Sequence, residues 1–173
     1  EVMERGVFTT VRQRSMRGLG HAILTGEPLI GNEPFGVVLS DDLCLNGEGA
    51  GVLTQMAALY EEFRCSIVAV QTVSPAEISA YGAVAGPTER GGLIRVSQMV
   101  EKPTAEQAPS NVAVIGRYIL TPDIFDILRD VAPDEGGEIQ LTDALKVQAS
   151  EGRVLAYEFE GIRFDCGQVP GFV

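Results

Sequence analysis

"FGVVLSDDL", residues 35–43, carries an apolar, β-branched run straight into two adjacent carboxylates. A run without polar alternation reads as a strand covered on both faces rather than one with a wet side. Similar runs recur along the chain: "VFTTV" (7–11), "SIVAVQTV" (66–73), "LIRVSQMV" (93–100), "NVAVIGRYIL" (111–120) and "VLAYEF" (154–159). Between them lie segments of helical period. "GVLTQMAALYEEFR" (51–64) places Val52, Met56, Leu59, Tyr60 and Phe63 on one side, and "EIQLTDALKVQA" (138–149) does so with Leu141, Leu145 and Ala149. A further helix is expected to start at Thr121-Pro122-Asp123, where threonine suits a cap and proline the first turn. Strands alternating with helices around a doubly covered sheet predict an α/β fold, a mostly parallel mixed sheet with helices on both faces.

In such a sheet ligands sit beyond the carboxyl ends of the strands, which aims Asp41 and Asp42 into that crevice. Two acids there suit Mg²⁺, a hard cation held by one or two carboxylates plus substrate phosphates. They equally suit an acid that merely caps the turn after a strand. "FDCG" (164–167) offers Asp165 beside a glycine that permits close approach, and if Asp165 faces Asp41 the two share one ion. "MVEKP" (99–103) ends a strand with Glu101, suited to sugar hydroxyls, and Lys102, suited to phosphate; a surface ion pair is the alternative. Lys102 is one of only two lysines in the chain, which favours a specific role. In "AYGAV" (80–84), Gly82 either approaches a sugar or relieves a bend.

"RQRSMRGLGHAILTG" (12–26) sets a glutamine among three arginines and then breaks the chain with two glycines before a helix. Glycines there expose backbone N–H groups to an anion or a base edge, and the Gln13 amide carries both a donor and an acceptor. His21 reads as a helix residue with a local hydrogen bond rather than as a base.

The 173 residues, 45% hydrophobic and 21% charged, suit one domain over 1–173 that buries roughly 70% of its unfolded surface. The formal net charge of −11 argues against a nucleic-acid partner, which a basic surface would attract. Four of the 13 basic residues, Arg5, Arg12, Arg14 and Arg17, nevertheless cluster at the start, as a local anion site or a solvated edge. No apolar run approaches the ~20 residues of a membrane span and no leader pattern precedes the first apolar run, so a cytoplasmic protein without a membrane partner is expected. Cys44, Cys65 and Cys166 lack the spacing of a disulfide framework or a zinc site. The opening on glutamate and the close on "VPGFV", like the first turn of a helix, lead us to expect a fragment incomplete at both ends. The chain lacks G-x-S-x-G, H-E-x-x-H and a spaced Cys/His pair, so its chemistry is expected to be positioning and charge neutralisation, as phosphoryl and nucleotidyl transfer require.

Taken in order, "VRQ…GLGHAIL", "GVVLSDDL", "AYGAV", "VEKP", "SNVAVIGRYIL", "GGEIQLTDAL" and "FDCG" closely resemble the bacterial UTP–glucose-1-phosphate uridylyltransferases, or UDP-glucose pyrophosphorylases. The resemblance spans nearly the whole chain. It implies a Rossmann-like nucleotidyltransferase fold and a Mg²⁺-dependent direct displacement between UTP and glucose 1-phosphate. By the same resemblance Gln13, Gly18, Leu19 and Gly20 contact uracil, Asp41 and Asp165 hold Mg²⁺, Gly82, Glu101 and Val114 bind glucose, and Lys102 meets the phosphates. Asp41, Lys102 and Asp165 are then the catalytic set. The family's glycine-rich loop lies upstream of Glu1, so residues 1–173 alone are expected to lack turnover, and a homo-oligomer is implied only for the parent protein. Ser40 departs from relatives with proline there, without touching Asp41. Three other readings stand beside this one: transfer of another nucleotidyl group, a UDP-sugar-using glycosyltransferase, and a non-catalytic nucleotide-sugar-binding module.

Overall fold

The structure, a computed structural model, describes residues 6–167; Arg5 and the closing "VPGFV" lie outside the described residues. Its centre is β3 (Ser66–Thr72), whose alternating side chains are buried on both sides. Val68 and Val70 enter one apolar cluster, Ile67 and Ala69 the other, as the two-residue period of a strand requires. The first cluster is roofed by α1 (Gly18–Ile30), α3 (Ile124–Asp130) and α4 (Leu141–Ser150), which contribute Ile23, Leu128 and Leu145 among others. The second is covered by α2 (Val52–Phe63) through Val52 and Met56. Helices therefore cover both faces, as expected. Among the described residues no helix is long and apolar enough to cross a membrane.

The main sheet also contains β1 (Phe35–Val38), β4 (Gly82–Ala85), β5 (Ile94–Arg95), β6 (Gln98–Glu101), β7 (Val112–Leu120) and β8 (Val154–Glu158). Its order is β5-β8-β3-β7-β4-β6, with β1 also on β7. The sheet is mixed, but not mostly parallel. Among the described strands only β3 and β8 pair in parallel; β7 runs antiparallel to β1, β3 and β4. An apolar run records burial on both faces and carries no direction, which is why orientation was misread.

Two further expectations are corrected. Residues 7–11 form no strand, and Val7, Phe8 and Val11 are exposed. β-Branched composition alone cannot hold a strand whose N–H and C=O groups find no neighbour. The run 93–100 is not one strand but two, on opposite edges of the sheet. Val96 N–H donates to Val154 O on one edge and Ser97 N–H to Ala85 O on the other, so two residues curl the sheet towards closure. Gly86 permits the crossing, since a Cβ there would lie 1.9 Å from Arg95 O. A small separate sheet pairs β2 (Asp42–Leu45) with β9 (Ile162–Asp165).

Candidate active site

The site lies where one edge of β7 changes partner. Val38 pairs with Arg117 and Leu39 N–H still reaches Gly116 O, whereas Ala83 of β4 pairs with Ala113. The carboxyl end of β1 and the amino end of β4 thus face each other across residues 114–116. A cavity of about 410 Å³ opens there, lined by Val114, Gly116 and Tyr118 of β7, by Leu39, Asp41 and Asp42 just after β1, and by Tyr81 and Gly82 at the start of β4. That volume is within the usual range for small-molecule sites.

On the β1 side, Asp41 is exposed and Asp42 is buried. The two acids have different work. Asp42 accepts a hydrogen bond from Gly116 N–H at 2.9 Å and pairs with the Arg163 guanidinium. A Cβ on Gly116 would come within 2.7 Å of both Asp42 Oδ2 and Leu39 Cβ, so only glycine lets the turn sit on β7. Asp41 makes no side-chain hydrogen bond among the described residues, and its carbonyl accepts one from Cys166 N–H at 2.6 Å. This tie brings the 39–42 turn onto the turn after β9. Asp41 Oδ2 and Asp165 Oδ1 lie 3.8 and 3.2 Å from the point where a Cβ of Gly167 would stand, so the missing side chain leaves room between two carboxylates.

Asp165 is held in that pose. Its Oδ2 accepts hydrogen bonds from Tyr81 OH and Arg163 Nη2, each at 3.1 Å, while its Oδ1 accepts one from Gly167 N–H at 3.0 Å. Arg163 Nη1 also donates to the Tyr81 phenol oxygen at 3.1 Å, and the guanidinium stacks over that ring, 4.9 Å from the centroid. Burial disfavours its charge, but the bonds to Tyr81 and Asp42 outweigh this and keep its pKa above the ordinary arginine value. Burial, with Glu101, Asp42 and Asp41 nearby, raises the Tyr118 phenol far above its usual range, so it stays neutral.

On the β4 side, Gly82 pairs in register with Glu101. A Cβ at residue 82 would stand 3.3 Å from Glu101 Oε2, 3.7 Å from Thr142 Oγ1 and 3.8 Å from Val114 Cβ. Glycine therefore leaves a small space rimmed by a carboxylate, a hydroxyl and an isopropyl group. Thr142 OH donates to Glu101 Oε2 at 2.5 Å and fixes the carboxylate's rotation. Lys102 follows with φ of 42°, and its N–H bonds to Tyr81 O at 3.0 Å. A left-handed lysine is strained by roughly 1–3 kcal/mol, and such strain tends to persist at functional sites.

At the start of α1, Gly20 N–H donates to Ile139 O at 2.9 Å and Ile139 N–H to Arg17 O at 2.8 Å. A Cβ on Gly18 would approach Glu138 Cβ to 2.9 Å, and one on Gly20 would lie 2.7 Å from Ile139 O. The two glycines thus serve packing against "GGEI", and the Gly20 N–H is already engaged. Leu19 lines the cavity; Gln13, Gly18 and Gly20 are not among its lining residues. The Gln13 Nε2 lies 3.2 Å from Gly18 O and 2.8 Å from His21 Nδ1.

One family model, nucleotidyl transferase, matches residues 5–173. The chain belongs to that family. It is 59% identical over 173 residues to a UTP–glucose-1-phosphate uridylyltransferase of Pseudomonas aeruginosa, covering all of this chain and 62% of that protein. A crystal structure of UDP-glucose pyrophosphorylase complexed with UDP-glucose superimposes with a TM-score of 0.96 at 54% identity, over 99% of this chain and 65% of the other. A UTP-bound enzyme of the same name from Acinetobacter baumannii gives 0.81 at 35%, over 94% and 56%. The chain thus spans less than two thirds of the length of these relatives.

Asp41, Asp165, Gly82, Glu101, Lys102, Val114 and Leu19 line one cavity, from segments up to 146 residues apart. Sequence reasoning missed Gly116, Tyr81, Thr142 and Arg163. A glycine inside the long apolar run 111–120 was the available signal for Gly116. The others sit beside flagged residues without being unusual types.

Proposed function

We propose that this chain carries the core of a uridylyltransferase that joins UTP and glucose 1-phosphate into UDP-glucose and pyrophosphate. The carrying observation is the single cavity that sets a carboxylate pair, Asp41 and Asp165, beside a sugar-sized recess at Gly82, Glu101 and Val114. The relatives' names and their UTP and UDP-glucose complexes support it.

In this reading a phosphate oxygen of glucose 1-phosphate attacks the α-phosphorus of UTP, and the bond to the bridging oxygen of the β-phosphate breaks. Pyrophosphate leaves with that electron pair. Among the described residues no cluster of three or more His, Cys, Asp or Glu could hold a metal ion. Two converging carboxylates with open space between them still fit Mg²⁺, which keeps waters and takes its remaining ligands from substrate phosphates. Asp41 and Asp165 would hold it, and bound there it would supply charge neutralisation at the phosphates. Lys102 adds a positive charge at the cavity mouth, while Glu101, fixed by Thr142, accepts from sugar hydroxyls. Uracil is proposed to lie at the edge of the cavity against Gln13 and the Gly18-Leu19-Gly20 turn, of which Leu19 lines the cavity and Gly18 O bonds the Gln13 amide. Because the machinery positions and neutralises, no covalent enzyme intermediate is required. Three free cysteines suit the cytoplasmic setting proposed with this activity.

The test is release of pyrophosphate by the full-length protein from UTP, glucose 1-phosphate and Mg²⁺. A signal that collapses with dTTP, CTP or ATP supports uridylyl transfer. Transfer of glucose from UDP-glucose to an acceptor with release of UDP, or binding of UDP-glucose without pyrophosphate release, overturns it.

A further inference from the structure

We infer that His21 is a positioning residue for base selection: it locks the Gln13 amide so that Oε1 is the only group offered to a ligand. The inference rests on Gln13 facing the base, as proposed above.

The deciding atom is a carbonyl oxygen. Gly18 O can only accept, so the Gln13 atom 3.2 Å away must be the amide nitrogen rather than its oxygen. The same nitrogen stands 2.8 Å from His21 Nδ1. An NH₂ facing that ring atom requires Nδ1 to accept, which puts the imidazole proton on Nε2. One backbone carbonyl thereby settles both the amide's rotation and the histidine tautomer. Both amide protons are then used, and Gln13 Oε1 has no partner among the described residues. His21 itself is held on the first turns of α1, where Thr25 OH donates to its carbonyl at 2.8 Å.

A glutamine free to rotate would offer either a donor or an acceptor and would tolerate any pyrimidine edge. Locked in this way it offers an acceptor alone. That favours a base with an imide N–H, which uracil and thymine carry at N3 and cytosine lacks, since cytosine would set a lone pair against Oε1. The device therefore separates uracil and thymine from cytosine, and it does not separate uracil from thymine.

The experiment measures dissociation constants of UTP, dTTP and CTP for the full-length protein and its His21→Ala, His21→Asn and Gln13→Ala variants, with thermal melting to check folding. With His21→Ala we expect the preference for UTP over CTP to fall by roughly three- to tenfold, one neutral hydrogen bond's worth. The ratio of UTP to dTTP should not move. His21→Asn, whose side-chain oxygen can take the place of Nδ1, should retain most of the preference. Equal weakening of all three nucleotides in His21→Ala, or an unchanged UTP/CTP ratio there while Gln13→Ala loses it, overturns the role of His21. An unchanged ratio in Gln13→Ala overturns the placement of the base instead, and failure of the unmodified protein to bind UTP overturns the proposed function.

Discussion

Removing the guanidinium of Arg163 tests whether the acidic half of the site is held by charge or only by packing. Arg163 and Asp42 are an ion pair in which each side chain is 9% exposed, and the same arginine binds Asp165, 32% exposed, and Tyr81. In Arg163→Ala, Asp42 keeps its bond from Gly116 N–H but stays buried without its counter-charge. Breaking a buried pair from one side costs about 3–5 kcal/mol. Asp165 is open enough for water to replace its lost bond, which places the estimate at the lower end, while loss of the stacking on Tyr81 adds about 0.5–1 kcal/mol. We expect a loss of about 4 kcal/mol in urea denaturation, equivalent to roughly 10 °C in Tm for a domain of this size. Asp42→Asn in the same background should recover at least ~1.5 kcal/mol, because the orphaned charge is gone. A single-variant loss below about 1 kcal/mol, or strict additivity of the two substitutions, would refute the reasoning.

Asp41→Asn should weaken the Mg²⁺ dependence of activity in the full-length protein by about tenfold or more, near ~1.4 kcal/mol, with an unchanged melt because the carboxylate is exposed and bonds to nothing described; unchanged activity at limiting Mg²⁺ contradicts it. Gly20→Ala gains ~1 kcal/mol of helix propensity but forces a Cβ to 2.7 Å from Ile139 O and Leu128 Cδ2. A net loss of about 1–2 kcal/mol is expected, and a stabilised variant would show that the 138–139 segment yields freely. For Asp123, burial pushes the carboxyl pKa up, but bonds from Thr121, Arg153 and Gln148 outweigh it and leave the value below normal. That carboxylate stabilises the fold above the unfolded value near ~3.9 and stops doing so as pH falls through the folded value. The side chain is 38% exposed, which limits the effect to about 1 kcal/mol. Between about pH 5 and 3 the parent protein should lose more stability than Asp123→Asn, and parallel curves would exclude the linkage.

How far the sequence was legible follows the range of the forces involved. The helices over 51–64 and 138–149 and the strands at 66–73, 111–120 and 154–159 were read within three residues of their observed bounds, because each buries enough apolar surface to print its own period. Thr121 was placed correctly before α3 but given the wrong task. Its hydroxyl accepts from Gln148 Nε2 at 2.8 Å and lies 3.2 Å from Ser66 Oγ, knitting β3, β7 and α4 instead of capping the helix. No local rule signals a partner 55 residues away. The break at Val96 and Ser97 was hidden for the same reason, since both halves of the run are apolar and only their neighbours differ.

The site divides along the same line. Which acids and which lysine meet in the cavity was legible, because aspartates after an apolar run and a Glu-Lys pair before proline are uncommon types in conspicuous places. The support that aims them was not. β2 and β9 are four residues each, with half-exposed patterns too short to register, yet their pairing sets Asp42 opposite Asp165 across 123 positions and carries Asp41 and Gly167 alongside. The carboxylate pair exists only when that ribbon closes. Mutations that loosen β2–β9 without touching an acid, such as a proline at Cys44, should therefore damage metal dependence before they damage the main sheet, whose core residues belong to β3, β7 and the helices. Urea unfolding with metal affinity measured in parallel would separate the two effects, and loss of both together would show that ribbon and sheet fold as one unit.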